Sequence, residues 1–136
     1  MYEIEILLID DDPAAIQSTQ AMFNQYKLKN NLNIISSGME AMAFLRREIT
    51  VPALDLILLD GTFAQDIQQQ ILSAIKDDID LRNIPLLLMI PIGSRPLFDD
   101  QHLAPNGFVH KPLDFIQFIN VIKTIQSFKV AIVTTL

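Results

Sequence analysis

Apolar runs recur along the chain, and most are followed by a segment whose apolar residues return at helical spacing. EIEILLI, residues 3 to 9, predicts a strand. Asp12 followed by Pro13 predicts a helix start, with aspartate as N-cap and proline at the first helical position, where a missing N–H costs nothing. That helix is expected to run to about Lys27, burying Ile16, Phe23 and Tyr26. Residues 32 to 36 (LNIIS) predict a short strand, Gly38 a turn, and MEAMAFLRRE a helix carrying Met42, Leu45 and Ile49. LDLILLD, ending at Asp60, is almost continuously apolar, as a central strand covered on both faces should be. Asp66 to Lys76 predicts a helix with Ile67, Ile71, Leu72 and Ile75 inward. Residues 84 to 90 (IPLLLMI) and then GFVH predict two more strands, and Asp114 to Gln126 a last helix with Phe115, Phe118, Ile119 and Ile122 on one face. Alternating strand and helix of this kind predicts an α/β fold with a doubly wound parallel sheet.

Two stretches fall outside that scheme. Pro91, Pro96 and Pro105 leave room between the last two strands for only a short helix, Leu97 to Leu103. FKVAIVTTL, residues 128 to 136, is β-branched and apolar beyond what the alternating units need. It is expected to add a strand or to seek a partner, giving a domain over residues 1–127 and an extension over 128–136.

Composition narrows the function. A chain of 136 residues predicts one domain, and 50% hydrophobic residues exclude a disordered tail. A formal net charge of -6 argues against direct nucleic-acid binding, for want of cations to neutralise phosphates. With no cysteine there is neither a disulfide framework nor a thiolate metal site. No apolar run reaches membrane-spanning length, so the chain is expected to be cytoplasmic without membrane contact.

Charge sits at the ends of three strands: Asp10 and Asp11 after the first, Asp60 after the third, Lys111 after the fifth. Parallel strands present their carboxyl ends on one side, so these groups are expected to gather at one edge. Two carboxylates about 4 Å apart repel by roughly 4 kcal/mol at an effective dielectric near 20. Three together call for a neutraliser, and Mg²⁺ suits them because it takes carboxylate oxygens and shares its shell with phosphoryl groups. Lys111 adds a second anion contact, and an aspartate beside a metal and a lysine is suited to accept a phosphoryl group covalently. Asp12 is read as a helix cap only, His102 and His110 as surface or edge residues, and Met39, Met42 and Met89 as core filler.

These positions resemble the receiver domain of two-component response regulators, over nearly the whole chain. The resemblance is closest to the small single-domain regulators related to those paired with bacterial phytochromes. Where that subgroup has forms such as LLVEDNPAD and IKxDxxLRxIP and an apolar extension, this chain has LLIDDDPAA, IKDDIDLRNIP and SFKVAIVTTL. The resemblance implies a flavodoxin-like sheet of five parallel strands, order 2-1-3-4-5, with helices on both faces. It implies that Asp60 is the phosphoacceptor, that Asp10, Asp11 and Asp60 hold Mg²⁺, that Lys111 contacts the phosphoryl group, and that Lys111-Pro112 is cis. It further implies a sensor histidine kinase as partner, a homodimer through the region of the fifth strand and last helix, and a signal leaving by protein contact rather than through an output domain.

The chain departs from the family at two places. The first switch position, normally Thr or Ser, is Ile90, which has no donor, and Ser94 is the nearest hydroxyl in sequence. The second switch position carries an aromatic residue, Phe108. The loop after Asp60, GTFAQD, lacks the usual proline and Asp-Gly turn. Ile90 therefore supports an alternative, a phosphorylation-independent pseudo-receiver acting as an interaction module. An enzyme reading rests on Asp10-x-Asp12 and the DGT at 60 to 62, which resemble pieces of an aspartate-nucleophile phosphatase. Those pieces are contiguous in that family and fall on different strands here, so the chain is expected not to be an enzyme.

Overall fold

The computed structural model describes residues 3–25, 30–94 and 103–125. Its elements in chain order are β1 (Ile4–Ile9), α1 (Pro13–Gln25), β2 (Asn30–Ile35), α2 (Gly38–Leu45), β3 (Leu56–Asp60), α3 (Gln65–Asp77), β4 (Leu86–Pro91), β5 (Gly107–Lys111) and α4 (Phe115–Ile122). All strand pairs are parallel, in the order β2-β1-β3-β4-β5. This is the doubly wound sheet expected from the alternating pattern, in the flavodoxin-like order that the resemblance implied.

Continuous apolar runs are needed because both faces are covered. Ile4, Ile6, Leu8, Leu58, Met89 and Val109 point to one face, where Phe23 of α1 and Phe118 of α4 meet edge to face with ring centroids 5.0 Å apart. Their sequence neighbours Leu7, Ile9, Ile57, Leu59, Leu88 and Ile90 point to the other face, against Phe44 of α2 and Ile71, Leu72 and Ile75 of α3. The strand period of two thus assigns alternate residues to two cores.

The differences from the sequence reading have local causes. β2 starts two residues earlier than expected because Asn31 and Asn33 can lie on an edge strand, their amides donating to the Glu5 carboxylate at 2.8 and 3.1 Å. Gly38 opens α2 rather than making a turn, since Ser37 caps that helix by accepting the Glu40 N–H at 3.1 Å. α2 then stops at Leu45: Arg47 adopts a left-handed φ of 65°, and its guanidinium is held by Asp78 and Asp80. Met39 is a correction, being 83% exposed, whereas Met42 and Met89 do pack in the core. α4 begins after Asp114, which caps it by accepting the Gln117 N–H at 2.8 Å. Tyr26, His102, the stretch from Leu97 into the expected short helix, and the extension 128–136 lie outside the described residues, although Leu103 packs on the α2/α3 core.

Candidate functional site

β1 turns to one side to meet β2, and the chain then returns to place β3 on its other side, so a crevice opens beyond the carboxyl ends of β1 and β3. Asp10 extends the ladder past β1, its N–H donating to the Ile35 carbonyl at 3.0 Å. Its Oδ1 accepts the Asp12 N–H at 3.0 Å, an Asx turn that leads into α1. Asp12 accepts the Ala14 N–H at 3.1 Å and is the helix cap it was read to be. Asp60 ends β3 beside Met89, and Lys111 ends β5 beside Pro91.

Tertiary structure brings these four groups together. Lys111 Nζ lies 2.9 Å from Asp10 Oδ2 and 2.9 Å from Asp60 Oδ1. Asp10 and Asp60 are both 0% exposed, while Asp11 is exposed. One carboxylate oxygen from each of the three aspartates falls within 4.8 Å of the others. Burial pushes the Asp10 carboxyl above its ordinary value, and the nearby Asp60 charge adds to this against the opposing pull of Lys111 and the Asp12 N–H. Burial pulls the Lys111 ammonium down, but hydrogen bonds and charge from Asp10 and Asp60 outweigh it and hold the group above the usual lysine value.

A hard divalent cation fits this arrangement. The donors are all carboxylate oxygens, three negative groups face one ammonium, and Asp10 Oδ2 is buried without accepting a well-directed hydrogen bond even though Lys111 is near. One ammonium offsets only part of the charge of three carboxylates, and a cation would offset the rest.

The remaining expected positions fall as follows. Ile90 is 5% exposed at the end of β4 and joins the α2/α3 core, so no donor reaches the site from there. Phe108 is on β5 and 37% exposed. Ser94 lies in the turn after β4, its N–H donating to the Pro91 carbonyl at 3.1 Å. Lys111-Pro112 is cis.

One residue of the site went unnoticed in the sequence. Thr62 donates its N–H to Asp60 Oδ1 at 3.0 Å, and its Oγ1 lies 2.9 Å from Oδ1 and 2.7 Å from Oδ2. The local signal was present, because an aspartate two residues before a threonine favours a side-chain-to-backbone turn of this kind. The loop that carries Thr62 is fixed on both sides. Gly61 donates its N–H to the Met89 carbonyl, and a Cβ at this position would lie 2.7 Å from that oxygen. Phe63 is buried in the α2/α3 core. Gly61→Ala is therefore expected to destabilise the protein by about 1–3 kcal/mol, as overpacking does, measured by urea denaturation; an unchanged midpoint would show that the loop yields freely.

The fold, together with three aspartates and a lysine at its carboxyl edge, is similar to that of the response regulators of two-component signalling. No protein-family profile matches the chain. It is 26% identical over 133 residues to the response regulator Rcp1 of Synechocystis sp., spanning 95% of this chain and 90% of the relative. Among solved structures, the phosphorylated cyanobacterial phytochrome response regulator RcpA is 28% identical with a TM-score of 0.66, covering 93% of this chain and 94% of that one. A two-component response regulator from Legionella pneumophila is 25% identical with a TM-score of 0.74, covering 91% and 98%. Rcp1 itself has been solved in a Mn²⁺-bound form, with a TM-score of 0.64 at 24% identity, covering 93% and 94%.

Proposed function

We propose that Asp60 accepts a phosphoryl group from the phosphohistidine of a sensor histidine kinase, and that Asp10, Asp11 and Asp60 hold Mg²⁺ for the transfer. The observation that carries this reading is the convergence of two buried carboxylates, a third beside them, and Lys111 bridging the buried pair. Relatives with a phosphorylated form and a Mn²⁺-bound form support it. In the transfer an Asp60 oxygen forms the new bond to phosphorus, while the phosphorus–nitrogen bond breaks and its electron pair leaves on the imidazole. Lys111 keeps its proton and offers a fixed positive charge to the phosphoryl oxygens. Mg²⁺, when bound, supplies neutralisation of the carboxylates and of the incoming phosphoryl charge. The chain is then a stoichiometric acceptor, not an enzyme with a separate substrate, and passes its signal on by protein contact. Incubation with a small phosphodonor and Mg²⁺, with the label located by mass spectrometry, tests the reading; label elsewhere than Asp60, or none, would sink it.

A specific observation favours the second reading, a pseudo-receiver. Ile90 offers the phosphoryl group no hydroxyl, so the link from phosphate to the β4 and β5 backbone is missing its first hydrogen bond. Phosphorylation is expected to shift the amide resonances of β4 and β5 little in the native chain and more in Ile90→Thr. Equal, large shifts in both would show that switching takes another route.

A further inference from the structure

We infer that Thr62 is a positioning residue that latches the reacting carboxylate, holding Asp60 Oδ2 out of attack until its hydroxyl is withdrawn. This rests on the phosphoacceptor role proposed for Asp60. The Thr62 hydroxyl has one proton, and the nearer acceptor is Oδ2, at 2.7 Å against 2.9 Å for Oδ1. Oδ1 already has two other donors, Lys111 Nζ at 2.9 Å and the Thr62 N–H at 3.0 Å. Oδ2 is thus the oxygen with fewest fixed partners and the one left to bond phosphorus, and the Thr62 hydroxyl is the donor that draws on its electron density. An interaction made with the resting carboxylate and lost at the moment of attack raises the barrier.

The latch is built into the fold. Asp60 is 0% exposed while Thr62 is exposed, so the threonine lies on the solvent side of the acid. Gly61 and Phe63 pin the backbone to either side, and the Ile90 side chain sits against Gly61, 3.0 Å from where a Cβ would stand. The residue that replaces the family's hydroxyl therefore braces the loop that carries a different one. Withdrawal needs only rotation of the Thr62 side chain. During transfer Oδ2 gains its bond to phosphorus as the bond from phosphorus to the donor's leaving atom breaks, the leaving group keeping the electron pair. No proton passes to Asp60, so the hydroxyl keeps its own and changes acceptor.

Labelling rates with acetyl phosphate and Mg²⁺ in the full chain, compared for the native protein, Thr62→Val and Thr62→Ser, test this. Thr62→Val, which keeps the shape without the donor, is expected to label about 10-fold faster, the effect of releasing one hydrogen bond to a charged group. Thr62→Ser restores the hydroxyl without the methyl and is expected to return to the native rate, a rescue that a packing role would not show. Should Thr62→Val not fold, Thr62→Ala carries the same expectation. A valine or alanine variant that labels at the native rate or more slowly overturns the latch while leaving the phosphoacceptor standing. A native protein that takes no label overturns both.

Discussion

Asp60→Asn is expected to lose all phosphoryl label in the presence of Mg²⁺ and a small phosphodonor. The asparagine amide nitrogen has no lone pair free for attack, and its oxygen, which would take the place of Oδ1 before Lys111 Nζ and the Thr62 N–H, is a far weaker nucleophile than a carboxylate. The variant should still fold. Losing one partner of a fully buried ion pair costs about 3–5 kcal/mol, but the Lys111 side chain is 18% exposed and retains Asp10 at 2.9 Å, so the loss should be smaller. Intact-mass spectrometry gives the readout. Persistent label in the variant would move the acceptor to another residue.

Mg²⁺ is expected to raise the melting temperature of the native protein and to raise that of Asp10→Asn much less. A ligand at 100 times its dissociation constant stabilises by about 2.7 kcal/mol, several degrees in a domain of this size. The direction of the Asp10 shift sets the behaviour without metal. Burial raises its pKa, so the folded state holds the proton more tightly than the unfolded chain, and stability is lost as pH rises above the ordinary carboxylate value of 3.8. At neutral pH a metal-free Asp10→Asn is therefore expected to melt at or above the native protein. Lys111 has the opposite sense: its pKa is raised, so its contribution is complete below the ordinary 10.5 and is lost only as pH climbs through the higher folded value. Thermal melts with and without Mg²⁺ decide the matter. Equal Mg²⁺ gains in both proteins would remove Asp10 from the metal site.

Strand and helix order, and the gathering of Asp10, Asp11, Asp60 and Lys111, were legible in the sequence. Both follow from local rules: continuous apolar runs mark strands covered on two faces, and parallel strands put their carboxyl ends on one side. The helix cap at Asp12 could be read for the same reason, since a cap bonds only to the turn it begins, whereas Asp114, read as the first residue of the last helix, proves to be its cap. The left-handed stop at Arg47 could not, because Asp78 and Asp80, which hold its guanidinium, are supplied by the segment after α3. Nor could the exposure of Met39, since periodicity identifies a helix without saying which of its first residues another element covers. At the site, the sequence by itself determined which charges meet; only the tertiary structure decided that Lys111 bridges Asp10 and Asp60, that Asp10 Oδ2 is buried against that ammonium, and that the Thr62 hydroxyl reaches Asp60. Those outcomes depend on contacts between elements far apart in the chain: β5 carries Lys111 to the ends of β1 and β3, while the close approach of Gly61 to β4 and the burial of Phe63 fix the loop that bears Thr62.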